Sequence, residues 1–407
     1  LVRPDRFTRP GLALAIIVTC QLMLMLDVTV MNVALPHIRT DLGFSTAGLA
    51  WVLNAYTLVF GGLLLLGGRA GDLFGRRRLF LGGVAVFTAA SLLGALADSA
   101  GWLIFARILQ GLGAAAAGPS TLALITSTFT GQRDRMRALG VFSGVASAGF
   151  AIGLIVGGLL TEWFSWRAVL FINLPFGLAI LTLAPRYIRE PARTPARLDL
   201  PGALTSTAGV AALVYGFIRA AEAGWSDVQA LAALAAGVAV LAVFLFLEVR
   251  TREPLMPLHL FADRNRAAGY LNFFFGPMAM MSAFFFLTQF LQEVAGYSSL
   301  TTGFAFLPLA VALFTLSRLV PRWLPAHGPR PFAIAGTVLM VLGLAWLTRL
   351  TPESGYVPGL LGPMIVLGLG GGLAFAPLNV VIISTVRPAD AGAAGGVLQT
   401  MQQIGST

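Results

Sequence analysis

The sequence contains no lysine: all 27 basic residues are arginines, set against 17 acids. That absence excludes a GxxxxGK[ST] phosphate loop, whose lysine reaches the nucleotide phosphates, so no Walker-type nucleotide site can be built. Cysteine is almost missing as well. The single Cys20 allows no disulfide within the chain, and it lies in an apolar run where a thiol packs as a small hydrophobe. The three histidines, His37, His259 and His327, are far apart and show no metal-ligand spacing, so neither a metal nor another cofactor is expected. Charge of either sign is scarce, at 11% of 407 residues, while 57% are hydrophobic and the mean hydropathy is +0.83. A soluble domain of this length needs more polar surface, so the composition describes an integral membrane protein. Arginine without lysine, beside abundant Ala and Gly, fits GC-rich bacterial coding better than a chemical need. No cleavable leader is read, because the first apolar segment is too long and apolar sequence follows it. Both ends look trimmed: the chain opens without Met and stops at QQIGST inside an apolar-periodic segment.

Apolar segments able to cross a ~30 Å hydrocarbon core as helices recur along the whole chain. They lie near 11–35, 49–68, 79–97, 101–128, 138–160, 168–185, 201–218, 229–248, 268–291, 301–320, 331–349 and 358–385, with a thirteenth starting near 392. Arginines mark alternate connections. With a cytoplasmic N-terminus, 22 of them fall inside, in groups such as Arg76, Arg77 and Arg78 or Arg133, Arg135 and Arg137. Arg39, Arg167, Arg219 and Arg349 fall outside, and Arg107 lies within a span. The net charge of +10 is then a topology signal, and no nucleic-acid partner is implied. The connections are short, which leaves the work to the helix bundle. No G-x-S-x-G, H-E-x-x-H or His/Asp pair lies in a span, so an enzyme is not expected.

Two spans resemble each other. GLGAAAAGPSTLALITSTF from Gly111 and GLGGGLAFAPLNVVIISTV from Gly368 share Gly-x-Gly, a later Pro (Pro119, Pro377) and an Arg/Asp-bearing turn. Both run in the same direction, which indicates a parallel repeat of six helices against six with two extra helices between. The expected divisions are 1–185 for one half, 186–250 for a linker with the extra pair, and 251–407 for the other half.

Between the second and third spans stands GGRAGDLFGRRRLF. It resembles the helix 2–3 signature of the major facilitator superfamily, with Gly68, Asp72, Gly75, Arg76 and Arg78 in place and Ala70 where that signature has Leu. The resemblance implies a gating cluster at the membrane face. A degenerate copy at 317–330 keeps arginines and Gly328 but has no acid. RILQG, Arg107 to Gly111, is similar to an element of the same superfamily that implies proton coupling through Arg107. Snorkelling of Arg107 to the interface is the other reading. The glycines Gly140, Gly149, Gly153, Gly157 and Gly158 follow the superfamily's antiporter signature except for Leu154, which stands where it has Pro. Spacing of four puts Gly149, Gly153 and Gly157 on one helix ridge, where backbones can pack closely. LDVTVMNVALP at 26–36, SWRAVLFINLP at 165–175, LQEVAGYSSLTTGFAFLP at 291–308 and the closing GAAGGVLQTMQQIG resemble fourteen-helix drug:proton antiporters over essentially the whole chain. The implied protein is an all-α, monomeric exporter of the cytoplasmic membrane, partnered by protons, lipid and a hydrophobic or amphipathic small molecule. The resemblance also places the rest of a thirteenth helix and a fourteenth beyond this sequence. A lipid or lipid-linked flippase on the same fold is the alternative, and a non-transporting receptor a weaker one.

Asp27 is the residue that apolar patterning makes conspicuous. It lies roughly 24 Å along its helix at 1.5 Å per residue, and a carboxylate there costs about 2.5–3.5 kcal/mol on insertion scales. Three roles compete: a proton carrier facing a cavity, a static partner of Arg107, or a solvated acid near the outer interface. An arginine beside it favours the charged form and burial favours the neutral one. Polar residues at matching depth, Asn32, Asn54, Tyr56, Gln110, Asn272 and Gln289, are candidates to line a substrate cavity. Phe273–Phe275, Phe284–Phe286 and Met278, Met280 and Met281 would supply adaptable apolar contact, or simply face lipid.

Overall fold

Backbone in a bilayer has no water to bond with, so apolar segments of this length satisfy their own N–H and C=O groups as helices. The computed structural model describes residues 10–45, 47–191, 199–251, 254, 256–384, 386 and 391–406. Fifteen α-helices are found: α1 (Pro10–Leu42), α2 (Trp51–Phe74), α3 (Arg76–Ala95), α4 (Ala100–Thr128), α5 (Gln132–Trp163), α6 (Ala168–Phe171), α7 (Asn173–Tyr187), α8 (Leu200–Ala223), α9 (Val228–Arg250), α10 (Arg264–Gln289), α11 (Ser299–Ala305), α12 (Leu307–His327), α13 (Pro329–Leu347), α14 (Gly362–Ser384) and α15 (Ala391–Gly405). No strand occurs among the described residues. Among the described residues eleven spans are long and apolar enough to cross a membrane, and α5 adds an apolar stretch at Ala148–Trp163. Of the arginines read as topology signals, Arg3, Arg6, Arg9, Arg193, Arg197, Arg252 and Arg387 lie outside the described residues.

Two expected continuous spans are broken, each by a proline. Pro175 in the first turn of α7 has no N–H to return to Phe171, and the helix interrupts at Ile172. Pro308 does the same at the α11–α12 break at Phe306. The expected span at 268–291 runs on as a wide π-turn over Phe290–Val294. Starts of helices follow the short polar side chains. Asp199, Asp227 and Asp263 accept the backbone N–H of Gly202, Ala230 and Arg266, each at 2.9 Å, capping α8, α9 and α10.

The repeat seen in the sequence has a physical counterpart. Gly111 and Gly113 bring α4 against the backbones of α2 and α3: a Cβ on Gly111 would stand 2.6 Å from the Tyr56 carbonyl oxygen, and one on Gly113 2.6 Å from the Phe87 nitrogen. Gly368 and Gly370 do the same in α14, against Leu309 of α12 and Met340 of α13. Each half therefore has a central helix whose glycines admit two neighbours at backbone distance. The α8–α9 hairpin interlocks through Gly209, Gly216 and Gly237, and it rests on α2 where Gly62 meets Thr207.

Candidate functional site

Asp27 and Arg107 are both fully buried, and Arg107 Nη1 donates to Asp27 Oδ2 at 2.5 Å. Arg107 does not snorkel. Its Nε donates to the Val52 carbonyl at 2.8 Å, its Nη1 also reaches Gln110 Oε1 at 2.9 Å, and its guanidinium lies 4.5 Å over the Tyr56 ring. The second carboxylate oxygen, Asp27 Oδ1, accepts from Gln110 Nε2 at 3.0 Å and Asn173 Nδ2 at 2.9 Å. The same two amides meet Ser91 Oγ, at 2.8 and 3.3 Å. Two desolvated charges cost several kcal/mol each, and only close pairing with satisfied hydrogen bonds offsets that cost. Arg107 and Gln110 share a face because they are three residues apart on α4. Every partner of Asp27 belongs to the α1–α7 half. Ser91 on α3 and Asn173 on α7 carry no charge, so apolar patterning passes over them, although Asn173 lies within the SWRAVLFINLP segment at 165–175. Asn173 could have been noticed as the one amide in an apolar span, directly before a helix-breaking Leu-Pro.

The cavity candidates part company. Tyr56 and Gln110 belong to the ion-pair cluster inside the first half. Asn32 is buried between the halves and accepts from Thr288 at 2.8 Å. Gln289 is buried one residue further on. Asn272 donates to Thr337 at 2.7 Å, within the second half. Asn54 borders a crevice of about 190 Å³ with Met278, Met281, Phe285 and Phe286.

A larger cavity lies elsewhere, at the arginine-rich end. It measures about 570 Å³ and is lined by α2, α4, α14 and α15, with Leu64, Leu65, Pro119, Leu122 and Leu398 as apolar wall. Its polar margin is Arg69, Asp72, Arg76, Asn379 and Gln399. The helix 2–3 motif is thus on its rim. Asp72 is paired with Arg76 one helical turn on, and Gly75, with φ 107°, makes the turn into α3. Glu190, beyond α7, secures this corner by accepting the backbone N–H of Arg77 at 3.0 Å and Arg78 at 3.2 Å. Glu190 also lies 3.9 Å from Arg77 Nε, and nothing in the motif signals it, because its hydrogen bonds go to backbone groups. Gly68 makes only ordinary contact with Pro119.

At the opposite end the halves are closed on each other. Val33 and Leu154 pack with Phe284, Leu287, Leu291 and Phe306. Around them Gln292 Nε2 donates to the Val33 carbonyl at 2.9 Å, the Leu300 N–H to Glu162 Oε2 at 2.9 Å, and Arg39 to Glu293 at 2.7 Å. The α5 glycines divide between two partners. Gly149, Gly153 and Gly157 seat α1, whereas Gly158 meets the backbone of Ser299 and Leu300. Gly140, the first glycine of the expected ladder, has nothing within 4 Å of a Cβ position among the described residues. Leu154, at the signature's Pro position, leaves α5 unbroken and presents its carbonyl to Gly303.

Comparison with known proteins agrees with this architecture. The family model of the Major Facilitator Superfamily matches residues 17–407. The chain is 42% identical over 408 residues to the cephamycin export protein CmcT of Amycolatopsis lactamdurans, covering 99% of this chain and 84% of that protein. It is 43% identical over 397 residues to the puromycin resistance protein pur8 of Streptomyces alboniger, covering 96% and 78%. It is 34% identical over 401 residues to the tetracenomycin C resistance and export protein of Streptomyces glaucescens, covering 98% and 74%. Among solved structures, the peptide transporter POT superposes with TM-score 0.69 at 14% identity, over 97% of this chain and 86% of that one. The D-xylose-proton symporter gives 0.65 at 15% identity, over 97% and 87%. Motif, repeat, helix arrangement and these likenesses converge: the chain is a multi-pass membrane transporter that belongs to the major facilitator superfamily.

Proposed function

We propose that this protein exports hydrophobic or amphipathic small molecules, antibiotics among them, across the cytoplasmic membrane in exchange for protons. The relatives named for cephamycin, puromycin and tetracenomycin C support the substrate class. The cavity of about 570 Å³ is the size of a drug-sized pocket and small for a two-chain lipid, which favours export over lipid flipping. With the arginine-rich end cytoplasmic, the closed opposite seam and this cavity describe an inward-facing arrangement, and rocking of the halves would reverse it. The pair of Asp27 and Arg107 is the observation that carries proton coupling, since a buried carboxylate in a membrane is the group whose charge a proton can cancel. One inward proton supplies about 2.3 kcal/mol per 100 mV and about 1.4 kcal/mol per pH unit. Asp72, Arg76 and Arg78 form the gate at the cavity rim in this reading, and the chain works as a monomer.

The test is efflux from reconstituted vesicles under an imposed pH gradient. Asp27→Asn should lose gradient-driven efflux of an amphipathic dye while still binding it. Efflux equal to wild type would overturn the proton assignment.

A further inference from the structure

We propose that Asn173 is the positioning residue that lets Asp27 exist in both charged and neutral forms, by turning its side-chain amide when Asp27 takes up a proton. The inference rests on the proton-coupling reading above. Every group that bonds Asp27 is a donor: Arg107 Nη1 to Oδ2, and Gln110 Nε2 and Asn173 Nδ2 to Oδ1. That set suits a carboxylate, which only accepts. A proton arriving at Asp27 goes to Oδ1, because Oδ2 faces a guanidinium that never gives up its charge. The new O–H then points at two N–H groups, and one must be replaced by an acceptor.

Gln110 is not free to supply it. Its Oε1 already accepts from Arg107 at 2.9 Å, so turning that amide would set an N–H against the guanidinium. Asn173 is differently placed. Its Oδ1 is buried and has no hydrogen-bond partner among the described residues, while its Nδ2 is the atom on Asp27. Turning the amide by half a rotation brings that unused oxygen to Asp27 Oδ1 as the acceptor the new O–H needs, and moves Nδ2 to the place the oxygen left. Ser91, which meets Nδ2 at 3.3 Å, can turn its hydroxyl to follow, since a serine both donates and accepts. The bonding change balances. Asp27 Oδ1 gains one proton from the transported pool, the Asn173 N–H···O bond is replaced by an O–H···O bond, and no other group changes charge. The charged or titratable groups around Asp27 are Arg107 from α4 and Tyr56 from α2, with Cys20 of α1 among the groups around that phenol. From α3 and α7 only the neutral Ser91 and Asn173 reach the cluster, and no charged group of α5, α10 or α11 bonds to it among the described residues.

Infrared difference spectroscopy of the purified full chain, titrated with pH, reads both partners. Wild type should show a carboxylic C=O band that Asp27→Asn removes, and with it a shift of an asparagine amide C=O band that Asn173→Leu removes. Asn173→Leu should keep the Asp27 band but move it to higher wavenumber, as expected for an acid whose O–H has lost its acceptor. Asn173→Ser, which can still accept, should return it toward the wild-type position. Dye binding in each variant reports that the bundle is folded. An Asp27 band unchanged in Asn173→Leu would overturn the amide rotation and leave proton coupling standing. Absence of any band removed by Asp27→Asn would overturn both.

Discussion

Removing Arg107 should destabilise the transporter far more than removing both members of its pair. In Arg107→Gln the Asp27 carboxylate stays fully buried among α1, α2, α3, α4 and α7 and loses its only positive partner. Stripping one partner from a buried pair costs about 3–5 kcal/mol, most of it the uncompensated charge left behind. Three guanidinium bonds, to Val52, Asp27 and Gln110, and the contact over Tyr56 go with it. Asp27→Asn removes the opposite charge but keeps an isosteric acceptor for Arg107. In Asp27→Asn/Arg107→Gln no charge remains, and two amides can bond to Gln110, Asn173 and the Val52 carbonyl. The double variant should therefore recover at least about 2 kcal/mol relative to the sum of the single ones, within the range measured for contacting pairs. The assay is unfolding in mixed micelles, followed by tryptophan fluorescence, for wild type, both single variants and the double. Additivity to within about 0.5 kcal/mol, the behaviour of independent sites, would refute the reasoning and show that the two charges are not coupled energetically.

Gly113→Leu and Gly370→Leu should each destabilise by about 1–3 kcal/mol, the usual cost of overpacking, because backbone atoms occupy the space a side chain needs; equal unfolding to wild type would show that the repeat's glycines are not contact points. Glu190→Ala should cost about 1 kcal/mol, as for a lost helix cap, and Glu190→Gln less, since one of the two acceptor oxygens is kept; hydrogen exchange should rise at both the Arg77 and Arg78 amides in the alanine variant and at only one of them in the glutamine variant. Glu293→Gln should change stability by less than about 1 kcal/mol, because the Arg39 pair is about a third exposed and screened by water. It should, however, raise thiol-reagent access to a cysteine placed at Leu291 in the closed seam, and unchanged access would remove Arg39 and Glu293 from the seal.

The fold was legible because a membrane simplifies the code. Length and apolarity give helices, arginines give alternation, and Gly-x-Gly at 111–113 and 368–370 marks equivalent crossings in the two halves. The two proline-induced breaks were legible only in part, since a proline in a first turn usually starts a helix without dividing a span. Asp27 and Arg107 stood out because charge is scarce between the loops. Ser91 and Asn173 did not, because an amide or hydroxyl at membrane depth is as compatible with a helix–helix contact as with a site. Depth along a helix also says nothing about azimuth. Asn54, Tyr56 and Gln110 share a depth range, yet Tyr56 and Gln110 turn inward to the ion pair while Asn54 meets the second half. The cavity at the arginine-rich end depends on where four helices diverge, which no single segment encodes.

The enclosure of Asp27 has a consequence for how the cycle must run. Its contacts from α2, α3, α4 and α7 all move with it when one half swings as a solid body, so that swing leaves the acid as dry as before. Hydrating it takes a rearrangement within that half, such as α1 slipping against its own neighbours. In the proton-exchange reading the cycle then has two nested motions, a large one that passes cargo and a small internal one that admits the proton. In that reading the small motion is a shear within a single half, which makes cargo passage and proton uptake separable steps that need not share a door.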